Sequence, residues 1–323
     1  MNNHRNSILK WAEQEHIAAG RVEEAMRVSR ALPNKTDWHN FIDRLLLWSG
    51  TVLLAAGVIF FFAYNWKDIG SLARFGIVEL LIAAAVGGCI WVGTEKPAGK
   101  ASLFAASLLV GALLALFGQT YQTGADTFEL FITWAVLILP WTVVSRLPAM
   151  WVLLIALVNV AVTFYFRSFP GVFGLLFGPE RQLWVLFTFN SIALVLWELS
   201  SAHFIWLRER WATRLLGFAG GGLITTLAII AIFDHRVGFN YSLILYPLWL
   251  VLIYACYRRL IFDLFLLAGG VLSVVIIVAS ILSRAMLYSG SWGGAYLIIG
   301  LAVIGLSALG GFWLKNIAQE ETR

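Results

Sequence analysis

The side chains best equipped for chemistry in this sequence stand at the ends of long apolar runs or inside them. One group brackets an early pair of runs: Asn65-Trp66-Lys67-Asp68, Glu79, the stretch Gly118-Gln119-Thr120-Tyr121-Gln122-Thr123-Gly124-Ala125-Asp126, and Glu129. If their helices are neighbours, Asn65, Trp66, Lys67, Asp68, Glu79, Gln119, Tyr121, Gln122, Asp126 and Glu129 make an outward-facing polar pocket. Amides, a phenol, a lysine and carboxylates suit recognition of a small polar ligand or the mouth of a translocation path. The plainer alternative is that such residues cap helix ends and stitch a turn. A second group, Asn159, Asn190, Glu198 and His203, lies within apolar runs. An ionisable group in hydrocarbon is costly, so this set reads as a proton or substrate path with Glu198 as the protonatable member. Its alternative is amides bonding neighbouring helices and a Glu198 snorkelling to the interface. Asp263 has Arg259 four residues earlier and is expected to pair with it along one helix.

Enzymatic patterns are missing. The five histidines (His4, His16, His39, His203, His235) are scattered, without metal-ligand spacing. The sequence has no nucleophile elbow, since Gly290-Ser291-Trp292-Gly293 is too short a likeness, and the Gly118–Gly124 turn lacks the ending of a phosphate loop. Cys89 and Cys256 form no CxxC pair. The expectation is a non-enzyme with no metal and no cofactor.

The elements that carry these residues follow from composition. Hydrophobic residues make up 60% of the 323, charged ones only 13%, and the mean hydropathy is +0.82. A soluble fold of this length has nowhere to hide that much apolar surface, whereas a bilayer dissolves it. Ten apolar segments, near residues 45–64, 75–92, 101–117, 127–145, 148–166, 183–207, 215–233, 241–257, 260–282 and 293–314, are each long enough to cross ~30 Å of hydrocarbon. Only Arg146-Leu147 separates the fourth from the fifth, and only Arg258-Arg259 the eighth from the ninth. The fold class is all-α: a multi-pass bundle (45–314) preceded by a small helical head (1–44) and followed by a tail (315–323). In the head, apolar residues at helical spacing place short amphipathic helices at 7–16 and 21–32, broken at Gly20 and ended by Pro33-Asn34.

Charge sets the expected orientation. The head carries seven Lys/Arg against six Asp/Glu, with no basic stripe interleaved with aromatics, so nucleic acid is not an expected partner. With the N-terminus inside, 17 of the 23 Lys/Arg fall on the cytoplasmic side and six outside. Ten spans then put both termini in the cytoplasm. The polar first forty residues argue against a cleavable signal peptide, leaving the first span as an uncleaved anchor. Many of the fifteen Trp lie near span ends, as interfacial anchors do. Gly217 and Gly221 form a GxxxG, and other glycines inside the spans also favour close helix packing. Five-plus-five inverted repeats would point to a transporter, but Pro140 in the fourth span has no counterpart in the ninth.

Three stretches resemble a known family: Ala63-Tyr64-Asn65-Trp66, the Gly118–Asp126 run, and Leu130-Phe131 … Trp134-Ala135. With the helical head they resemble the bacterial predicted membrane proteins of the domain-of-unknown-function 2157 family, most densely over residues 1–150. The resemblance implies a topology, a bacterial inner-membrane setting and an assembly role beside other membrane proteins. It supplies no activity and no catalytic residues. Two functional classes stand open: a component that binds another membrane protein, in envelope assembly or regulation, and a small-solute or proton-coupled permease using the polar pocket.

Overall fold

The computed structural model describes residues 2–29, 32, 34–64, 70–121, 124, 126–169, 180–234, 241–289 and 292–321. Its elements are helices α1 (Asn2–Glu13), α2 (Val22–Val28), α3 (Lys35–Tyr64), α4 (Ser71–Val92), α5 (Pro97–Tyr121), α6 (Thr127–Ser145), α7 (Pro148–Ser168), α8 (Arg181–His203), α9 (Arg210–Phe233), α10 (Ser242–Ala255), α11 (Leu264–Ser289) and α12 (Trp292–Glu321). Short 3-10 turns precede α2 and α9, and a π-turn over Cys256–Leu260 prolongs α10. Among the described residues, ten helices are long and apolar enough to cross a membrane, one for each span read from the sequence. The chain divides into two compact units, Met1–Thr123 and Gly124–Arg323.

In the first unit, Asn34 and Asp37 start α3 with a reciprocal cap: the Asn34 N–H donates to the Asp37 carboxylate and the Asp37 N–H to the Asn34 side-chain oxygen, both at 2.9 Å. That cap starts the helix ten residues before the apolar run. At 1.5 Å per residue its 30 residues measure about 45 Å, against ~30 Å of hydrocarbon. The α5 helix packs between α3 and α4. Small residues on α5, among them Gly99, Ala101, Ala105, Ala106, Ser107 and Gly111, are buried there. At the α4–α5 turn a Cβ on Gly99 would stand 2.1 Å from the Gly93 carbonyl oxygen, so that turn admits only glycine.

In the second unit α9 is the central helix, packed against α8, α10 and α11. Its Gly217 and Gly221 are notches for side chains rather than backbone crossings: Leu266 of α11 fills the first and Trp249 of α10 the second. Arg284 of α11 donates to the Ile232 and Asp234 carbonyls, satisfying acceptors that the end of α9 leaves free. The α6–α7 joint is as short as the sequence implied. Arg146 adopts the left-handed conformation (φ 47°), and Pro148 opens α7 after an extended Leu147.

The next short joint lies elsewhere than the sequence suggested. Arg258 and Arg259 belong to the π-turn, and the chain leaves the helix only at residues 261–263. Asp263 is therefore not on a helix shared with Arg259, and the expected i,i+4 pair gives way to other partners.

Candidate functional site

In the second unit, α7 and α8 bring Asn159 and Asn190 together at mid-span. The Asn190 amide N–H donates to Asn159 Oδ1 at 2.6 Å, and the Asn159 amide N–H returns a bond to Asn190 Oδ1 at 3.3 Å. Each amide also donates to the carbonyl four residues back, Ile155 or Leu186, at 2.8 Å. The pair answers its own polarity, which an apolar surrounding demands, and Asn190 is only 2% exposed.

Eight residues further along α8, about 12 Å, Glu198 enters a larger network. Arg210, the first residue of α9, donates through Nη1 to both Glu198 oxygens at 2.9 Å, and the Tyr257 hydroxyl adds a bond at 3.0 Å. Through Nε, Arg210 also reaches Asp263 at 3.0 Å, which Arg214 engages at 3.1 and 3.2 Å. Asp263 further accepts the Phe265 N–H at 3.0 Å, which makes it the N-cap of α11. The Arg210 guanidinium lies over the Tyr257 ring, and that of Arg214 over Phe265. Two arginines and two carboxylates thus neutralise one another where α8 ends, α9 starts and α10 hands over to α11. An unpaired charge in this setting costs at least ~2.5 kcal/mol, which is the physical reason for the reciprocity.

Between the two polar sets lies an apolar layer. Leu194, one turn from Asn190 and one from Glu198, is buried with Trp197, Leu207, Ala212 and Leu216, and Trp151 and Ile155 of α7 pack against them. A further polar set ties α9, α10 and α11: Ser273 Oγ lies 2.7 Å from Thr225 Oγ1 and 2.9 Å from the Tyr246 hydroxyl, all three buried.

The other sequence candidates fall as follows. His203 ends α8, exposed, its ring nitrogen 3.1 Å from the Leu199 carbonyl oxygen. Asp126 precedes α6 and accepts a bond from the Ser168 hydroxyl at 3.2 Å, while Glu129 is exposed in the first turn of that helix. In the first unit Tyr121 ends α5 and stacks on Phe75 of α4 at 5.8 Å, with Phe117 beside it at 4.8 Å. Gln119 is exposed. Asn65, Trp66, Lys67, Asp68 and Gln122 lie outside the described residues.

Glu79 sits deeper than the sequence placed it, because α4 begins at Ser71 rather than at Phe75. It is about 12 Å along a helix of about 33 Å. It is exposed, and among the described residues no hydrogen bond or ion pair engages it.

Reading the sequence missed Arg210, Arg214 and Tyr257. The available signal was Arg210 and Arg214 one turn apart at the start of a span, beside two lone acids, Glu198 and Asp263, at the ends of others. Asp263 before an apolar run was also legible as a helix start.

No curated protein and no solved structure matches the chain. The described residues give an all-helical, multi-pass membrane protein, and residues 9–151, from the first head helix into the start of α7, match the model of DUF2157, a family described as a predicted membrane protein.

Proposed function

We propose that the chain is a non-enzymatic, partner-binding component of a bacterial inner membrane, with both termini in the cytoplasm, serving envelope assembly or regulation. One observation carries this reading: the apolar layer of Leu194, Trp197 and Leu216 separates the Asn159–Asn190 pair from the Glu198–Arg210 network. A solute or proton path along α8 needs wet, unsatisfied groups in sequence. Here the two amides and the two carboxylates have protein partners, and side chains as large as tryptophan fill the interval; Arg210 Nη2 and the Trp151 and Trp197 indole N–H groups stay buried without a partner among the described residues. The orientation rests on the Lys/Arg distribution.

The test is crosslinking of the full-length chain in intact cells, followed by extraction in mild detergent and quantitative identification of what remains attached. The proposal expects a defined membrane protein in near-stoichiometric amount. A chain recovered alone, which in purified vesicles passes a small solute or protons, would overturn it in favour of the permease.

A further inference from the structure

Within the first unit, α4 presents a stripe that α3 and α5 leave uncovered. Leu72, Gly76, Glu79, Ala83, Gly87 and Ile90 follow one another at steps of three and four residues, and all six are exposed. A Cβ built on Gly76 or Gly87 meets nothing within 4 Å. The opposite side of α4, with Val78 and Cys89 buried, packs on α5. Spacing of three and four is that of a helix seam, and small residues along it let a second backbone come close.

Small residues alone would leave the occupant open, but Glu79 narrows it. Its carboxylate lies near the middle of a membrane-spanning helix, without a partner among the described residues, on the side that α5 does not cover. Hydrocarbon supplies no donor for a carboxylate, so whatever completes this face brings one. A second copy of this chain packed about a two-fold axis along the same stripe sets Glu79 against Glu79, a like-charge contact. The complement is a helix with a basic side chain at the same depth.

We propose that this α4 stripe is the docking face for a transmembrane helix of another membrane protein, one that carries a lysine or arginine near its middle to pair with Glu79. The inference rests on the partner-binding reading and specifies the surface and the chemistry of the partner.

A photo-crosslinking amino acid at Ala83 of the full-length chain in native membranes tests it, with a second probe on the head at Trp11 for comparison. The expected result is a discrete adduct from Ala83 that maps to a membrane helix with a mid-span Lys or Arg. Glu79→Gln reduces its yield roughly tenfold, and Glu79→Lys abolishes it until the partner's basic residue is changed to Glu. Adducts with lipid only, with a second copy of this chain, or with a helix lacking a basic residue overturn the inference. A protein partner captured from Trp11 but not from Ala83 removes the α4 face and leaves the partner-binding function standing. Loss of every protein adduct removes both.

Discussion

Replacing Glu198 by Gln preserves the shape of the α8–α9 junction and removes one of its four charges. Arg210, whose side chain is 26% exposed, then keeps Asp263 but loses both bonds to a carboxylate that is itself 14% exposed. Breaking one half of a fully buried pair costs ~3–5 kcal/mol. Water access at Arg210 and its remaining Asp263 contact lower that figure, to about 2 kcal/mol. The second unit has 200 residues, so the loss lowers its melting temperature by roughly 4–8 °C. Thermal unfolding of a detergent-purified Cys89→Ala chain, followed by the reaction of a fluorogenic thiol reagent with the half-buried Cys256 of the second unit as it becomes fully exposed, measures the shift. The same reasoning predicts that Glu198→Gln combined with Arg210→Gln costs less than the sum of the singles, because neither charge is then stranded. A coupling of ~1–2 kcal/mol is expected. A single substitution that moves the midpoint by less than a degree, with additive singles, would show that the network is solvated and holds nothing together.

The other predictions concern packing and polar pairing. Asn159→Leu leaves Asn190 Oδ1 without its donor in an apolar environment, the Asn190 amide N–H keeping the Leu186 carbonyl, and costs ~1–2 kcal/mol, most of which the double substitution Asn159→Leu/Asn190→Leu recovers; the same thermal assay reads both. Gly99→Ala drives a methyl into the Gly93 carbonyl, where nothing flexible can yield, and destabilises by ~2–3 kcal/mol, read as loss of monodisperse protein in size-exclusion chromatography. Gly217→Ala meets only the tip of Leu266 and is tolerated at ~1 kcal/mol. Tyr246→Phe removes one bond to Ser273, which retains Thr225, and costs ~0.5–1 kcal/mol in the same melt.

What the sequence revealed and what it hid divide along physical lines. Spans were legible because the bilayer imposes a length on each apolar run, and the number of membrane-crossing helices among the described residues agrees with that reading. The start of α3 was missed because the span was read from hydropathy, while the helix begins where Asn34 and Asp37 cap it. Asn159 and Asn190 stood out in the sequence as amides inside apolar runs, but that each is the other's partner depends on how α7 and α8 pack. Glu198 and Asp263 gave a similar lesson: both draw their cations from α9, 12 and 49 or more positions away in the chain, a pairing no local spacing encodes. The Arg259–Asp263 expectation failed because a π-turn followed by three non-helical residues replaced the continuous helix on which it relied.

The most direct test of a closed bundle is water access along α8. Single cysteines at Asn159, Leu194 and Glu198, with His203 as an exposed polar control at the end of α8, are introduced into a Cys89→Ala/Cys256→Ala chain and treated with a small membrane-impermeant thiol reagent. Labelling at His203 and silence at Asn159 and Leu194, in protein that elutes as the folded species, is the predicted result. Labelling at Asn159, Leu194 and Glu198 alike would reveal a continuous aqueous path through the layer that Leu194 and Trp197 are taken to seal, and would contradict the account.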